Sequence, residues 1–326
     1  MGKYIGCETL ITTCSNCKKD ENILVVTDET SYEIGMAFWQ TLKEMGFEKR
    51  ALVLMPDNKM HGEEPNEIVA AAMLKADVMF RATTLSLSHT DAKKLACANG
   101  TRDLNCADYN MRMLTENGGL FTDFIKNREV VDRVAKALKG KTITVTSPGG
   151  TNFTASIEGC ESWPQYGMST EVGQTSSPPD IEANIYIKRF TGNGVLCIDA
   201  SMPHPDLGVV TDEGGVMIDI KDSLATKISG GEQAEKLRNL LASYHDGRVY
   251  EIGEIGIGLN PDGILSGRML EDEGTFRTVH MALGCGSSKS IDKSSNTCPF
   301  HLDMLMHRPT IAVDGRIIIK DGDVVC

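Results

Sequence analysis

Three shortages narrow the possibilities before any motif is considered. Positive charge is scarce: 33 Lys and Arg stand against 45 Asp and Glu, a net charge of -12. The basic residues cluster no further than pairs such as Lys18-Lys19 and Lys93-Lys94. A surface of this sign repels phosphate backbones, so nucleic acid is not an expected partner. Long apolar runs are missing too. Nothing approaches the roughly 18 uninterrupted apolar residues of a membrane helix, and Met1-Gly2-Lys3-Tyr4 leads into polar sequence, unlike a signal peptide. The expectation is a soluble, cytoplasmic chain with no membrane partner. Ready-made catalytic signatures are the third shortage. The sequence has no Gly-x-Ser-x-Gly elbow, no His-Glu-x-x-His helix and no Gly-x-x-x-x-Gly-Lys-Ser/Thr loop, which removes common serine-hydrolase, zincin and nucleotide-binding readings. The ten cysteines are scattered without an export signal and read as reduced thiols. Cys14-Ser-Asn-Cys17 lacks the second pair that would close a tetrahedral zinc site.

What is present is the composition of a globular chain, 41% hydrophobic and 24% charged, long enough for about two domains of roughly 150 residues. Residues 1–140 alternate strand and helix. Ile23-Leu24-Val25-Val26 is an apolar run, and Thr30 or Ser31 can cap a helix that places Ile34, Phe38, Leu42 and Met45 on one face. Ala51 to Met55 stops at Pro56, Pro65 opens a helix through Ile68, Val69, Ala72 and Met73, and Val78-Met79-Phe80 is the next strand. Wholly apolar strands are buried on both faces, so this part is expected to be an α/β, Rossmann-like domain with a parallel sheet. Val130, Val131, Val134 and Leu138 mark a last helix ending at Gly140.

Residues 141–326 change texture. Thr142 to Thr146, Phe153 to Ile157, Ala183 to Ile187, Val195 to Ile198, Val216 to Ile220 and Ile311 to Ile319 read as strands between Gly, Pro and Asp turns. One helix, Glu232 to Ser243, interrupts them. A mainly antiparallel, β-rich domain follows from this pattern. The Ser-, Thr-, Gly- and Pro-rich segment Cys160 to Pro179 is the natural candidate for a lid.

Chemistry concentrates near the C-terminus. His280, His301 and His307 fall among acidic residues, and in Phe300-His301-Leu302-Asp303 alternate strand positions present His301 and Asp303 to one side. With His280 as third ligand, two imidazoles and a carboxylate fit a facial-triad iron site and equally half of a two-metal hydrolase site. A hydrogen-bonded pair on an exposed strand gives the same pattern without metal. Glu251, Glu254 and Glu271-Asp272-Glu273 offer a bridging carboxylate, although solvated acids are expected in so acidic a chain. Ile255-Gly256-Ile257-Gly258 lacks the strand-turn-helix context of a dinucleotide loop. Cys285 and Cys298 flank the histidines and read as small buried side chains.

The run Glu251-Ile-Gly-Glu-Ile-Gly-Ile-Gly-Leu-Asn-Pro261, then Asp272-Glu273, Thr278-Val-His-Met-Ala-Leu-Gly284, His301-Leu-Asp303 and Asp314-Gly315 resembles the leucyl aminopeptidase (aminopeptidase T) family of metallopeptidases. Gly150-Thr151-Asn152-Phe153, Pro179-Asp-Ile-Glu182, Ser88-His89-Thr90 and Gly100-Thr-Arg102 extend the resemblance over most of the chain. It implies Glu182, Glu254, Glu273, His280, His301 and Asp303 as ligands of divalent ions such as zinc, cobalt or manganese. Glu254 would bridge, and Glu182 or Glu254 would act as general base on a metal-activated water. It also implies a homodimer acting on a short peptide or small amide, with the metal site in the β-rich domain. An aminopeptidase-type hydrolase is the first expectation, and another metal-dependent hydrolase, for example of a cyclic amide, a lesser one.

Departures point elsewhere. Ser287 stands where the aminopeptidases carry a Tyr, Ile181 replaces a Gly before Glu182, Arg277 replaces a Gly before Thr278, and the chain is short for that family. A divergent branch of the same superfamily, resembling 2,5-dihydroxypyridine 5,6-dioxygenase, implies instead one iron(II) on His280, His301 and Asp303, with His89 as acid or base toward a ring hydroxyl. The plain reading of His89 is a helix-entry residue capped by Ser88.

Overall fold

The computed structural model describes residues 3–285, 296–298 and 300–326. The chain separates into two compact units, one formed by residues 1–126 and 166–180, the other by 127–165 and 181–326.

The first unit is built on a parallel sheet in the order Arg50–Met55, Ile23–Asp28, Val78–Ala82, Arg102–Asn105, Thr175–Ser176. The strands Ile23–Asp28 and Val78–Ala82 are buried at every position, as continuous apolar runs require of a sheet covered on both faces. Helix Tyr32–Glu44 packs through Ile34, Ala37, Phe38 and Leu42, and Phe38 stacks on Phe80 at 4.9 Å between ring centroids. Gly35 brings this helix close: a methyl group there would meet Thr27 Cγ2 at 2.6 Å. The expected cap is present in position and different in chemistry. Ser31 is the N-cap without a side-chain cap bond. Its hydroxyl instead faces Thr84 Oγ1 at 3.1 Å, and its own N–H donates to Asp28 Oδ1 at 2.9 Å. Pro65 stands just outside the next helix, Glu67–Met73, whose cap is Asn66.

The second unit holds two antiparallel sheets, as the alternating sequence predicted. One runs Leu224–Ser229, Val216–Lys221, Asn193–Ile198, Asn152–Ser156, Thr142–Thr146, Thr310–Val313, Arg316–Lys320, Asp323–Val324. The predicted strand Ile311 to Ile319 is thus two, folded back at Asp314-Gly315, where both residues have positive φ. The other sheet runs Gly208–Val209, Ser201–Met202, His301–His307, Thr278–Gly284, Ile252–Gly258, Glu182–Tyr186, Ser162–Gln165. Helix Glu232–Ser243 has the predicted bounds. The segment Cys160 to Pro179, expected as a lid, contributes an edge strand to each unit, Ser162–Gln165 and Thr175–Ser176. No helix among the described residues is long and apolar enough to cross a membrane.

Inside the parallel sheet two charged residues sit where apolar ones are expected. Arg81 and Asp103 are fully buried, joined by Arg81 Nε and Nη2 to the two carboxylate oxygens at 2.6 and 2.8 Å. Thr175 Oγ1 donates to Asp103 at 2.6 Å, tying the edge strand in, and Lys93 Nζ lies 3.9 Å away. Removing one partner of such a pair leaves an uncompensated buried charge, which costs about 3–5 kcal/mol. Asp103→Ala is therefore expected to lower the unfolding free energy of the first unit, read from urea denaturation, by that much, with Thr175→Val losing only about 1 kcal/mol. Equal, small effects of the two changes in equilibrium unfolding would refute this assignment.

Candidate metal centre

Register places the candidate residues. In antiparallel sheets directly opposed residues share a face. Asn184 opposes Gly256, which opposes His280; Tyr186 opposes Glu254, which opposes Ala282; Glu182 opposes Gly258. Further across, Ala282 opposes Asp303 and Gly284 opposes His301. One face of four neighbouring strands thus carries Glu182, Asn184, Tyr186, Glu254, His280, His301 and Asp303. The centre of that face has almost no side chain, because Gly256, Gly258 and Ala282 occupy it. A methyl group on Gly256 would sit 2.0 Å from His280 Nε2 and 2.7 Å from Glu182 Oε2.

The carboxylates and imidazoles converge over this gap. Candidate ligand atoms of Glu182, Glu254 and His280 lie within 4.8 Å of one another. His280 Nε2 is 3.2 Å from Glu182 Oε2 and 3.7 Å from Asp303 Oδ1, and His301 Nε2 is 3.1 Å from Asp303 Oδ2. Asp303 Oδ1 is enclosed without a hydrogen-bond partner. His301 Nδ1 is 2.9 Å from the Cys285 carbonyl and Nε2 is 3.1 Å from Asp303 Oδ2; both partners only accept, so both ring nitrogens donate here, Nε2 being the one turned to the site. Glu273 reaches the same place, its side chain hydrogen-bonding Asp303 and its backbone lying against His280.

Electrostatics sort these groups. Burial pushes the Glu254 carboxyl up to about 7, against the pull of the His301 charge. Burial lowers His280, which Asp303 only partly offsets, so this imidazole is neutral and able to ligate. Burial acts against Asp303 as well, but the His301 charge and the hydrogen bonds from His301 and Glu273 outweigh it and hold the carboxyl below its ordinary range. Burial would lower His301, yet the Asp303 charge, the bonds to Asp303 and Cys285 and the nearby Glu254 together hold it well above its usual value. A buried carboxylate shared by two imidazoles is a donor set that a divalent cation can take over.

All six expected ligands, Glu182, Glu254, Glu273, His280, His301 and Asp303, therefore lie in this one region. His89 belongs to the other unit, just before Thr90, whose hydroxyl caps helix Asp91–Ala98. Ser88 is not that cap; its Oγ accepts from Arg81 Nη2 at 3.2 Å. Ser287 lies outside the described residues. Sequence reasoning missed Asn184 and Tyr186. Their signal was the two-residue alternation from Glu182. It also took the Glu271-Asp272-Glu273 acids together, whereas Asp272 is buried and accepts from Ser201 Oγ and from the N–H groups of Ser266 and Gly267, fixing the loop between two strands.

The model of the 2,5-dihydroxypyridine 5,6-dioxygenase family matches residues 7–326. A curated relative, the 2,5-dihydroxypyridine 5,6-dioxygenase of Pseudomonas putida KT2440, is 24% identical over 254 residues, 74% of this chain and 69% of the relative. The solved 2,5-dihydroxypyridine dioxygenase of the same organism superposes with a TM-score of 0.75 at 19% identity, covering 99% of this chain and 96% of that one. Wild-type AmpT from Thermus thermophilus gives 0.72 at 13% identity over 98% of both chains, a likeness of fold alone. These matches overturn the expectation of an aminopeptidase-type hydrolase, whether peptidase or cyclic amide hydrolase. The acids that the resemblance named each have a protein partner here, Asn184 at 2.7 Å for Glu182, Tyr186 for Glu254 and Asp303 for Glu273.

The gap over Gly256 is testable. Gly256→Ala forces His280 and Glu182 aside, so bound divalent metal is expected to be held about 10- to 100-fold more weakly while far-UV circular dichroism is unchanged. Metal retained equally by both proteins during dialysis against graded chelator would show that the gap is not needed.

Proposed function

Because the chain belongs to the 2,5-dihydroxypyridine 5,6-dioxygenase family, we propose that it is an iron(II)-dependent dioxygenase that opens a hydroxylated pyridine ring between carbons 5 and 6. His280, His301 and Asp303 would hold the metal. The observation that carries this reading is Asp303 itself, a buried carboxylate set between two imidazoles at 3.7 and 3.1 Å, in the two-histidine, one-carboxylate set of non-haem iron oxygenases. Its unpartnered Oδ1 and the neutral His280 supply the lone pairs that iron requires. When bound, iron(II) supplies the one-electron chemistry that lets dioxygen react with an aromatic ring, both oxygen atoms entering the product.

The remaining groups act on protons and position. Glu254, on the same face, is the acceptor for the proton of the ring hydroxyl, with Tyr186 orienting its carboxyl. Glu273 steadies Asp303 and His280 from behind. Glu182 lies beside His280, where a negative charge favours a metal-bound state of the imidazole.

The experiment is iron content per chain and dioxygen uptake with 2,5-dihydroxypyridine, on protein prepared anaerobically without chelator. One iron per chain is expected in the wild type. His301→Ala and Asp303→Ala lose both iron and uptake, and Glu254→Gln keeps iron while kcat falls about 10²- to 10⁴-fold. Iron-loaded wild type that consumes no dioxygen, or variants that retain iron fully, would overturn the reading.

A further inference from the structure

We infer that Asn184 determines which ring the site accepts, its amide oxygen taking a hydrogen bond from the ring N–H of the substrate. The inference rests on the dioxygenase reading and extends it to substrate choice.

The amide of Asn184 has only one orientation. Its Nδ2 donates to Glu182 Oε1 at 2.7 Å, and a carboxylate oxygen accepts but does not donate, so the amide cannot be flipped. Oδ1 is thereby turned the other way, buried, with no hydrogen-bond partner, and the residue as a whole is 5% exposed. Buried acceptors are matched in nearly all native structures, so an unmatched one marks a place for a donor.

Position identifies what that donor belongs to. Asn184 and His280 flank Gly256 on the same sheet face, and Trp163 lies directly opposite Asn184 on the outer strand. A planar ring held at the His280 and Asp303 end therefore has Asn184 Oδ1 among its nearest polar neighbours. The other charged neighbours, Glu182, Glu254 and Asp303, are acceptors as well, so the site is short of donors. A 2-hydroxypyridine exists in water largely as its lactam, with hydrogen on the ring nitrogen and a carbonyl beside it. That N–H is a donor fixed in the ring plane. A carbocyclic diol of the same outline presents C–H at that position and would leave Oδ1 unmatched.

Anaerobic titration of the iron-loaded enzyme with 2,5-dihydroxypyridine and with benzene-1,4-diol tests this without turnover. The wild type is expected to bind the pyridine about 10- to 100-fold more tightly than the diol. Asn184→Leu, similar in volume, and Asn184→Ala should bring that ratio to within about threefold, with iron content unchanged. If both variants keep the wild-type ratio, the amide only positions Glu182 and the inference fails while the dioxygenase reading stands. If both lose iron, Asn184 maintains the centre and does not read the ring, which also overturns it. Iron-loaded wild type that binds neither compound overturns the dioxygenase reading and this inference together, a result visible without any variant. Should Asn184→Leu not fold, Asn184→Ala gives the same comparison.

Discussion

Burying Glu182, Glu254 and Asp303 on one face of an antiparallel sheet is the constraint to which the rest of the second unit answers. A buried carboxylate is costly unless each charge meets a donor or an opposite charge. The sheet provides partners strand by strand. Asn184 serves Glu182 from two residues along the same strand, Tyr186 serves Glu254 from across the ladder, and two imidazoles serve Asp303. Gly256 and Gly258 are the complement of this arrangement. Any side chain at Gly256 would enter the space where the polar atoms converge, so a strand with glycine at alternate positions, poor by propensity alone, is what lets the charges approach one another.

The first unit meets the same cost differently. Arg81 and Asp103 are as deeply buried as any group in the metal centre, yet their geometry is saturated on the carboxylate side, with two guanidinium bonds and a threonine hydroxyl filling it. Both carboxylate oxygens are used, and the pair holds strands together. At Asp303 the count comes out otherwise: one oxygen is hydrogen-bonded to His301 while the other is enclosed without a partner. Burial is common to the two sites. Whether each lone pair is matched is what separates a structural ion pair from a site prepared for a cation.

Much of this architecture was legible because it rests on periodicity. The strand Thr142–Thr146 and helix Glu232–Ser243 were bounded correctly by apolar spacing, and the β-α-β alternation of the first unit followed from wholly apolar strands. The failures are local and physical. Ile252–Gly258 is a strand with six of its seven residues buried, all but Gly253, but its glycines hid it, since their value lies in contacts with other strands. Arg81 reads as a strand terminator until Asp103 is brought to it from 22 residues away. The partners of the acids were hidden for the same reason. Glu182, Glu254 and Glu273 are acidic in sequence whether or not a partner occupies their oxygens, and only the fold supplies Asn184, Tyr186 and Asp303.

That difference also explains how one fold accommodates both sides of the resemblance, since AmpT shares it at 13% identity and fold alone does not fix a reaction. A two-metal hydrolase needs several carboxylates committed to ions, so that a water can be shared between them. In this chain the hydrogen bonds of Glu182 and Glu254 run to neutral amide and phenol groups on their own sheet. A carboxylate has two oxygens, so the bond from Asn184 to Glu182 Oε1 steadies the group while its other oxygen lies 3.2 Å from His280 Nε2. Under the dioxygenase reading a single cation would replace the mutual contacts of His280, His301 and Asp303, an imidazole lone pair and a carboxylate oxygen each exchanging a neighbour for the metal. The number of acids by itself says little about how many ions they hold.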